Sequence, residues 1–273
     1  MKKFSRILTA VVATATTAAT TFAAAPAAQA ARGNTVLFGD SYFANTSIAQ
    51  LIDTRLNGGP QCIRGDYRVA TEISAQSGGT QVDDYSCNGT QLYLPGYTLE
   101  NEIDQAIADG KLNGNTLNVP IMIGANDTYR TPAPIDNVAA ALSYDRAFDK
   151  IKKAAPAARV IFTSYPSITN DRAGLCAIRI NGLPPTELPF PIVQEAERQL
   201  FEQSRTAAER HAGAGAVFLD LRNQTKGHDT CAPGGEAWVA GVLDNQTPQY
   251  NLTMHMAHPG VRNAAQQIVS KMQ

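Results

Sequence analysis

Four short apolar runs, each separated from the next by a helix-forming stretch, restrict this chain to very few architectures. Thr35-Val36-Leu37-Phe38 leads into Gly39, and Leu117 to Ile123 leads into Gly124. Arg159-Val160-Ile161-Phe162-Thr163 and Ala216 to Leu221 repeat the pattern. Runs of this length, rich in β-branched and aromatic residues, read as strands buried on both faces. Helices are expected over Ser47 to Leu56, Leu99 to Asp109, Val138 to Ala155 with Pro156 as its stop, and Ile192 to His211. A last helix is expected to follow Pro259, a residue suited to a first turn. Strand and helix in alternation predict an α/β sandwich with a parallel sheet, whose ligand site lies outside the carboxyl ends of the strands. The stretch Asn170 to Pro191, with Pro184, Pro185 and Pro189, interrupts that alternation and reads as a loop stapled through Cys176.

Composition excludes several classes of partner. Lys and Arg total 23 against 24 Asp and Glu, and only 17% of residues are charged, so no basic field is available to attract nucleic acid or an anionic membrane. The N-terminus carries its own message. Lys2, Lys3 and Arg6 precede an Ala/Thr/Val stretch, and Ala28-Gln29-Ala30 has the small-x-small form of a cleavage site. Residues 1–30 are therefore expected to be a secretory signal peptide, with 31–273 left as one domain. Thr9, Thr14, Thr16, Thr17, Thr20 and Thr21 dilute the apolar run below what a membrane anchor requires. The four cysteines, Cys62, Cys87, Cys176 and Cys231, suit export, because an even count in an oxidising compartment favours two disulfides. Three connectivities are open to them. No two stand at the Cys-x-x-Cys spacing of a zinc site, and no metal is expected.

Chemistry gathers where the strands end. Gly39-Asp40-Ser41 follows the first run directly, which would present the Ser41 hydroxyl at a strand-to-helix turn as a nucleophile, or as a helix N-cap. Gly124-Ala125-Asn126-Asp127 follows the second, placing an amide donor suited to an oxyanion, or a turn-forming pair, at the same sheet edge. His258-Pro259-Gly260 opens the last helix, where an imidazole can serve Ser41 as general base or stand as a surface histidine.

These segments, together with Gly89 in Ser86-Cys87-Asn88-Gly89-Thr90, resemble in order the four blocks of the SGNH (GDSL) hydrolase superfamily, over residues 36 to 259. The resemblance implies a flavodoxin-like three-layer α/β/α fold and hydrolysis of acyl esters, lipid or O-acylated glycan, with no cofactor. It assigns Ser41 as nucleophile, the Ser41 and Gly89 N–H groups with the Asn126 side chain as oxyanion hole, and His258 as base. The cysteine placement, with Gly227-His228-Asp229-Thr230-Cys231 and Trp238-Val239, is similar to secreted members of the superfamily and implies the pairs Cys62–Cys87 and Cys176–Cys231.

One position departs from the pattern. Members usually carry Asp three residues before the catalytic histidine, and here His255 stands there. Some members that lack the Asp orient the imidazole with a backbone carbonyl, so the resemblance implies a Ser41–His258 dyad in which the His255 side chain is dispensable. His255 and His258, with His228, also invite a metal reading, but no His-Glu-x-x-His helix accompanies them. The expected protein is a secreted monomeric esterase or lipase. An envelope acyltransferase using the same site and a non-catalytic secreted binding protein are its rivals, the latter motivated by the missing Asp.

Overall fold

The four apolar runs form the strands expected of them. A computed structural model describes residues 33–129, 135–233 and 235–273; the leader expected at residues 1–30 lies outside these. The strands are β1 (Thr35–Gly39), β2 (Val82–Asp84), β3 (Asn118–Met122) and β4 (Arg159–Thr163), then β5 (Gly174–Arg179), β6 (Thr186–Pro189), β7 (Ala216–Leu219) and β8 (Leu243–Asp244). The helices are α1 (Ser41–Ala44), α2 (Ile48–Asn57), α3 (Val69–Gln76), α4 (Leu99–Ala108), α5 (Asn126–Tyr129), α6 (Asn137–Ala154), α7 (Pro191–Arg210), α8 (Leu221–Gln224) and α9 (His258–Lys271). Five strands make one parallel sheet in the order β2-β1-β3-β4-β7. That is the flavodoxin-like order, whose switch point falls between β1 and β3.

Strand alternation divides the core into two layers. Val36, Phe38, Val119, Ile121, Val160 and Phe162 face one side and pack under Leu99 and Ile103 of α4, Tyr144 and Phe148 of α6 and Ala207 of α7. Leu37, Met122 and Ile161 face the other, covered by Phe43 of α1, Ile73 of α3 and Val261 and Ile268 of α9. The three-layer α/β/α sandwich follows from period-two side-chain placement with apolar residues at every step. Among the described residues no helix is long and apolar enough to cross a membrane.

Three elements depart from the sequence expectation. β2 has no apolar run; it pairs with β1 at the sheet edge, where its acids need not be buried among apolar side chains, and Asp84 is met by Arg68 at 2.7 Å. α3 contributes only Val69, Ala70 and Ile73 to the core, too short a pattern to read as periodic. The segment expected as a stapled loop contains an antiparallel hairpin, β5 with β6, extended by β8 into a second sheet. Pro184 and Pro185 occupy the connection between its strands, and Pro189 ends the exposed edge strand β6, where a missing N–H is tolerated.

This second sheet supports the C-terminal segment that returns to the main one. Cys176 of β5 is bonded to Cys231, and Cys62 to Cys87, with Cα atoms 4.9 and 4.6 Å apart. Arg179, fully buried at the end of β5, donates through Nη1 to the Thr230 and Ala232 carbonyls at 2.5 and 2.9 Å and lies 3.4 Å from the buried Asp244 carboxylate. Asp244 in turn accepts the N–H groups of Gly241, Gln246 and Thr247 at 2.8, 3.0 and 2.8 Å. Replacing one member of such a pair strands the other charge away from water. Arg179→Met is expected to lower unfolding stability by about 3 to 5 kcal/mol in urea titration, with the midpoint shifted at unchanged slope. A loss under about 1 kcal/mol would mean that the ion pair carries none of this segment.

Candidate active site

Ser41 opens α1 immediately after β1, with Asp40 as N-cap accepting the Tyr42 N–H at 3.0 Å. Gly39 is required by proximity: a Cβ there would stand 2.5 Å from the Met122 carbonyl of the adjacent strand. The turn therefore leaves β1 tightly and puts the Ser41 hydroxyl at the carboxyl edge of the sheet. Asn126 opens α5 beyond β3, across the β1–β3 switch point. Its Nδ2 donates to the Thr90 carbonyl at 2.8 Å and its Oδ1 accepts from the Tyr129 hydroxyl at 2.7 Å, which fixes the amide and leaves one N–H over. Gly89 sits in the turn before Thr90 with φ +81°, a conformation that a side chain would strain.

The imidazole at Ser41 is that of His255. Its Nε2 lies 2.7 Å from Ser41 Oγ, and its Nδ1 lies 2.8 Å from the Thr253 carbonyl oxygen. A carbonyl can only accept, so Nδ1 carries the proton and Nε2 presents its lone pair to the serine hydroxyl. Burial lowers the His255 pKa from 6.5 to about 4, partly opposed by the hydrogen bond to Thr253. Tyr42 holds this ring from one face, with centroids 4.6 Å apart, while its hydroxyl donates to the Met254 carbonyl at 2.7 Å. Met254 itself has φ +59°, a left-handed turn that brings the Thr253 carbonyl back onto the ring two residues later. Such a conformation costs about 1 to 3 kcal/mol in a non-glycine residue. The Tyr42 hydroxyl and the bond from Met254 N–H to the Ala240 carbonyl, 3.0 Å, hold it in place.

His258 corrects the expectation attached to it. It begins α9, its ring stacks on Tyr67 at 3.8 Å, and its Nε2 faces Asn251 Oδ1 at 3.3 Å, away from Ser41. The displacement has a local cause. Residues 255 to 257 run extended against 238 to 240, with Ala240 N–H on the His255 carbonyl and Ala257 N–H on the Trp238 carbonyl. That pairing turns His255 to Ser41 and Met256 into the core, after which Pro259 commits His258 to a first helical turn. Counting back three residues from His255 reaches Leu252, so the usual carboxylate position holds no acid. His228, the third histidine of the metal reading, lies flat on Trp238 at 3.6 Å with Nδ1 on the Glu236 carbonyl, and no cluster among the described residues could hold a metal ion.

Beneath these groups lies a set of buried acids that the sequence reading missed. Glu102 reaches from α4, where Leu99, Glu102, Ile103 and Ala106 share the buried face; an acid at an apolar-face position was the available signal. Its Oε2 accepts the Gly39 N–H at 2.9 Å, and its Oε1 lies 2.7 Å from Thr90 Oγ. Thr90 Oγ also donates to the Cys87 carbonyl at 2.8 Å. One hydroxyl proton cannot serve both acceptors, and burial drives the Glu102 pKa well above 4.5. A neutral Glu102 donating to Thr90 satisfies every contact. Asp127 accepts the Leu92, Tyr93 and Leu94 N–H groups at 2.8, 3.1 and 2.9 Å. Asp40 is raised to about 7 by burial and receives the Tyr165 hydroxyl.

The sequence profile of the GDSL-like lipase/acylhydrolase family matches residues 37–262, and the chain belongs to that family. "Lipase 2" of Streptomyces coelicolor is 26% identical over 272 residues, spanning 87% of this chain and 88% of that protein. The fold is similar to that of an extracellular lipase from Streptomyces rimosus, with TM-score 0.57 and 19% identity over 88% of this chain and 100% of the other. A phospholipase A1 from Streptomyces albidoflavus NA297 gives 0.56 and 18% over 88% and 98%. The α/β/α architecture is thus that of an SGNH hydrolase.

The neutral state assigned to Glu102 has a thermodynamic signature. A carboxyl whose pKa is raised on folding holds a proton that the unfolded chain releases, so its contribution to stability declines as pH rises above the ordinary 4.5. Glu102→Gln keeps both hydrogen bonds and cannot ionise. Its melting temperature relative to wild type is therefore expected to climb between about pH 5 and 8. A difference that stays flat over that range would show Glu102 to be ionised in the fold.

Proposed function

We propose that the protein is a serine ester hydrolase that forms a covalent acyl-enzyme on Ser41 with His255 as its general base. The hydrogen-bond chain from Ser41 Oγ to His255 Nε2, and from Nδ1 to the Thr253 carbonyl, carries this reading. In the acylation step His255 takes the hydroxyl proton as Ser41 Oγ attacks the ester carbonyl. The tetrahedral oxyanion is received by the Ser41 and Gly89 N–H groups and the Asn126 amide. Collapse expels the alcohol with the proton from His255, and water, activated by the same nitrogen, releases the acid. The third member of a triad fixes tautomer and orientation, which a backbone carbonyl can do. That removes the main support for a non-catalytic role. Membership of a lipase/acylhydrolase family supports the acyl-ester substrate. Two disulfides, and a structural neighbour described as extracellular, support secretion after loss of residues 1–30.

Labelling with a fluorophosphonate separates the two histidines. Ser41→Ala and His255→Ala are expected to lose labelling and to reduce ester hydrolysis by at least about a thousandfold, while His258→Ala stays within about tenfold of wild type. The opposite order would return the base to His258. The pH profile tests the same assignment independently. A base acts only when neutral, and a pKa lowered to about 4 keeps His255 neutral in mildly acidic solution. The acid limb of kcat/KM is therefore expected well below the free-imidazole value of 6.5, towards about 4. An acid limb at or above 6.5 would contradict it.

A further inference from the structure

A cavity of about 480 Å³ opens beside the candidate dyad, in the size range of small-molecule sites. Its position is fixed by three neighbours of the reacting groups. Tyr42 follows Ser41 and stacks on His255; Ala125 precedes Asn126; and Tyr129 bonds the Asn126 amide. From there the cavity runs along the start of α7, past Ile192, Val193, Ala196 and Leu200.

The wall carries several polar side chains, yet each has its polar atoms engaged within the protein. The Tyr42 hydroxyl donates to the Met254 carbonyl and the Tyr165 hydroxyl to Asp40. Thr128 Oγ donates to the Ala125 carbonyl at 2.7 Å. The buried Glu197 carboxylate accepts the Ile168 and Thr169 N–H groups and the Thr169 hydroxyl. What faces the cavity is therefore ring surface and methyl groups, with two large apolar side chains, Tyr129 at 67% and Ile192 at 77% exposure, at its rim. A glycan entering here would lose water from its hydroxyls and find few free partners. An alkyl chain loses nothing polar.

We propose that this cavity receives the acyl chain of the ester, and that the enzyme acts on chains of about eight carbons or longer in preference to acetyl groups. The inference rests on the Ser41–His255 reading. A methylene occupies close to a water's share of about 30 Å³, so 480 Å³ has room for a chain on the order of ten carbons. Burying each methylene is worth about fourfold in affinity for the bound state. Ala196, on the α7 wall, is where a larger side chain would fill the space without disturbing the sheet.

Two measurements test the proposal separately from the chemistry. In the first, kcat/KM is compared for p-nitrophenyl acetate and octanoate. The octanoate is expected to lead by at least tenfold, and Ala196→Trp or Val193→Trp to reduce octanoate turnover at least tenfold more than acetate turnover. In the second, decanoate binding to Ser41→Ala protein is followed by calorimetry below the micellar concentration. Binding that is lost on adding Ala196→Trp supports the cavity even if wild type hydrolyses no ester, in which case the reading of Ser41 fails alone. Acetate hydrolysed as fast as octanoate, or decanoate bound equally with and without Ala196→Trp, overturns the acyl-chain site and leaves the Ser41–His255 reading standing.

Discussion

The hydrogen bond from His255 Nδ1 to the Thr253 carbonyl sets the tautomer that the candidate dyad needs. A carbonyl two residues back in sequence reaches its own imidazole only through the left-handed turn at Met254. That turn is bracketed by Tyr42 on one side and Ala240 on the other. Ala240 belongs to a segment fixed through Asp244, Arg179 and the Cys176–Cys231 bond to the second sheet. The insertion in the α/β alternation is thus part of the positioning apparatus, remote from the reacting atoms and connected to them by consecutive contacts.

A comparable logic holds the other half of the site. The three loops that converge at the β1–β3 switch point come from different crossovers; the ladder joins only their first residues, through Asp40 N–H to the Met122 carbonyl at 3.2 Å and Cys87 N–H to the Gly39 carbonyl at 2.9 Å. Buried acids make the ties. Glu102 links Gly39 to Thr90, Thr90 links to Asn126, and Asp127 gathers the N–H groups of residues 92 to 94. Protonation removes the cost of burying Glu102 as a charge, and the donor so created completes the contact with Thr90.

Much of this was legible in the sequence, for identifiable reasons. The central strands β1, β3 and β4, and the edge strand β7, which helix α7 packs against, carry apolar runs and end in turns of marked composition, so they could be read within a few residues, and Ser41 and Asn126 follow two of those ends. β2 and β6 could not, because edge strands need no apolar run, and β5, central in the second sheet, lies inside a proline-rich stretch that reads as a loop. The imidazole that lies beside Ser41 could not be chosen from sequence, because His255 and His258 are chemically identical candidates three residues apart. What separates them is a backbone angle at Met254 and the pairing of residues 255 to 257 against 238 to 240, both tertiary facts. Spacing counted from His258 then made His255 look like a replaced aspartate. Glu102 was hidden in a helix read only for its apolar stripe.

Ser41 and His255 stand 214 positions apart in the chain, and the bond between them closes nearly the entire fold into one loop. A chain that grows or is threaded from its N-terminus carries the hydroxyl long before the imidazole that would activate it. In the Ser41–His255 reading, chemical competence arrives only once the last segment has docked, and truncation ahead of residue 253 would remove both the imidazole and α9, a helix that helps to cover one face of the sheet.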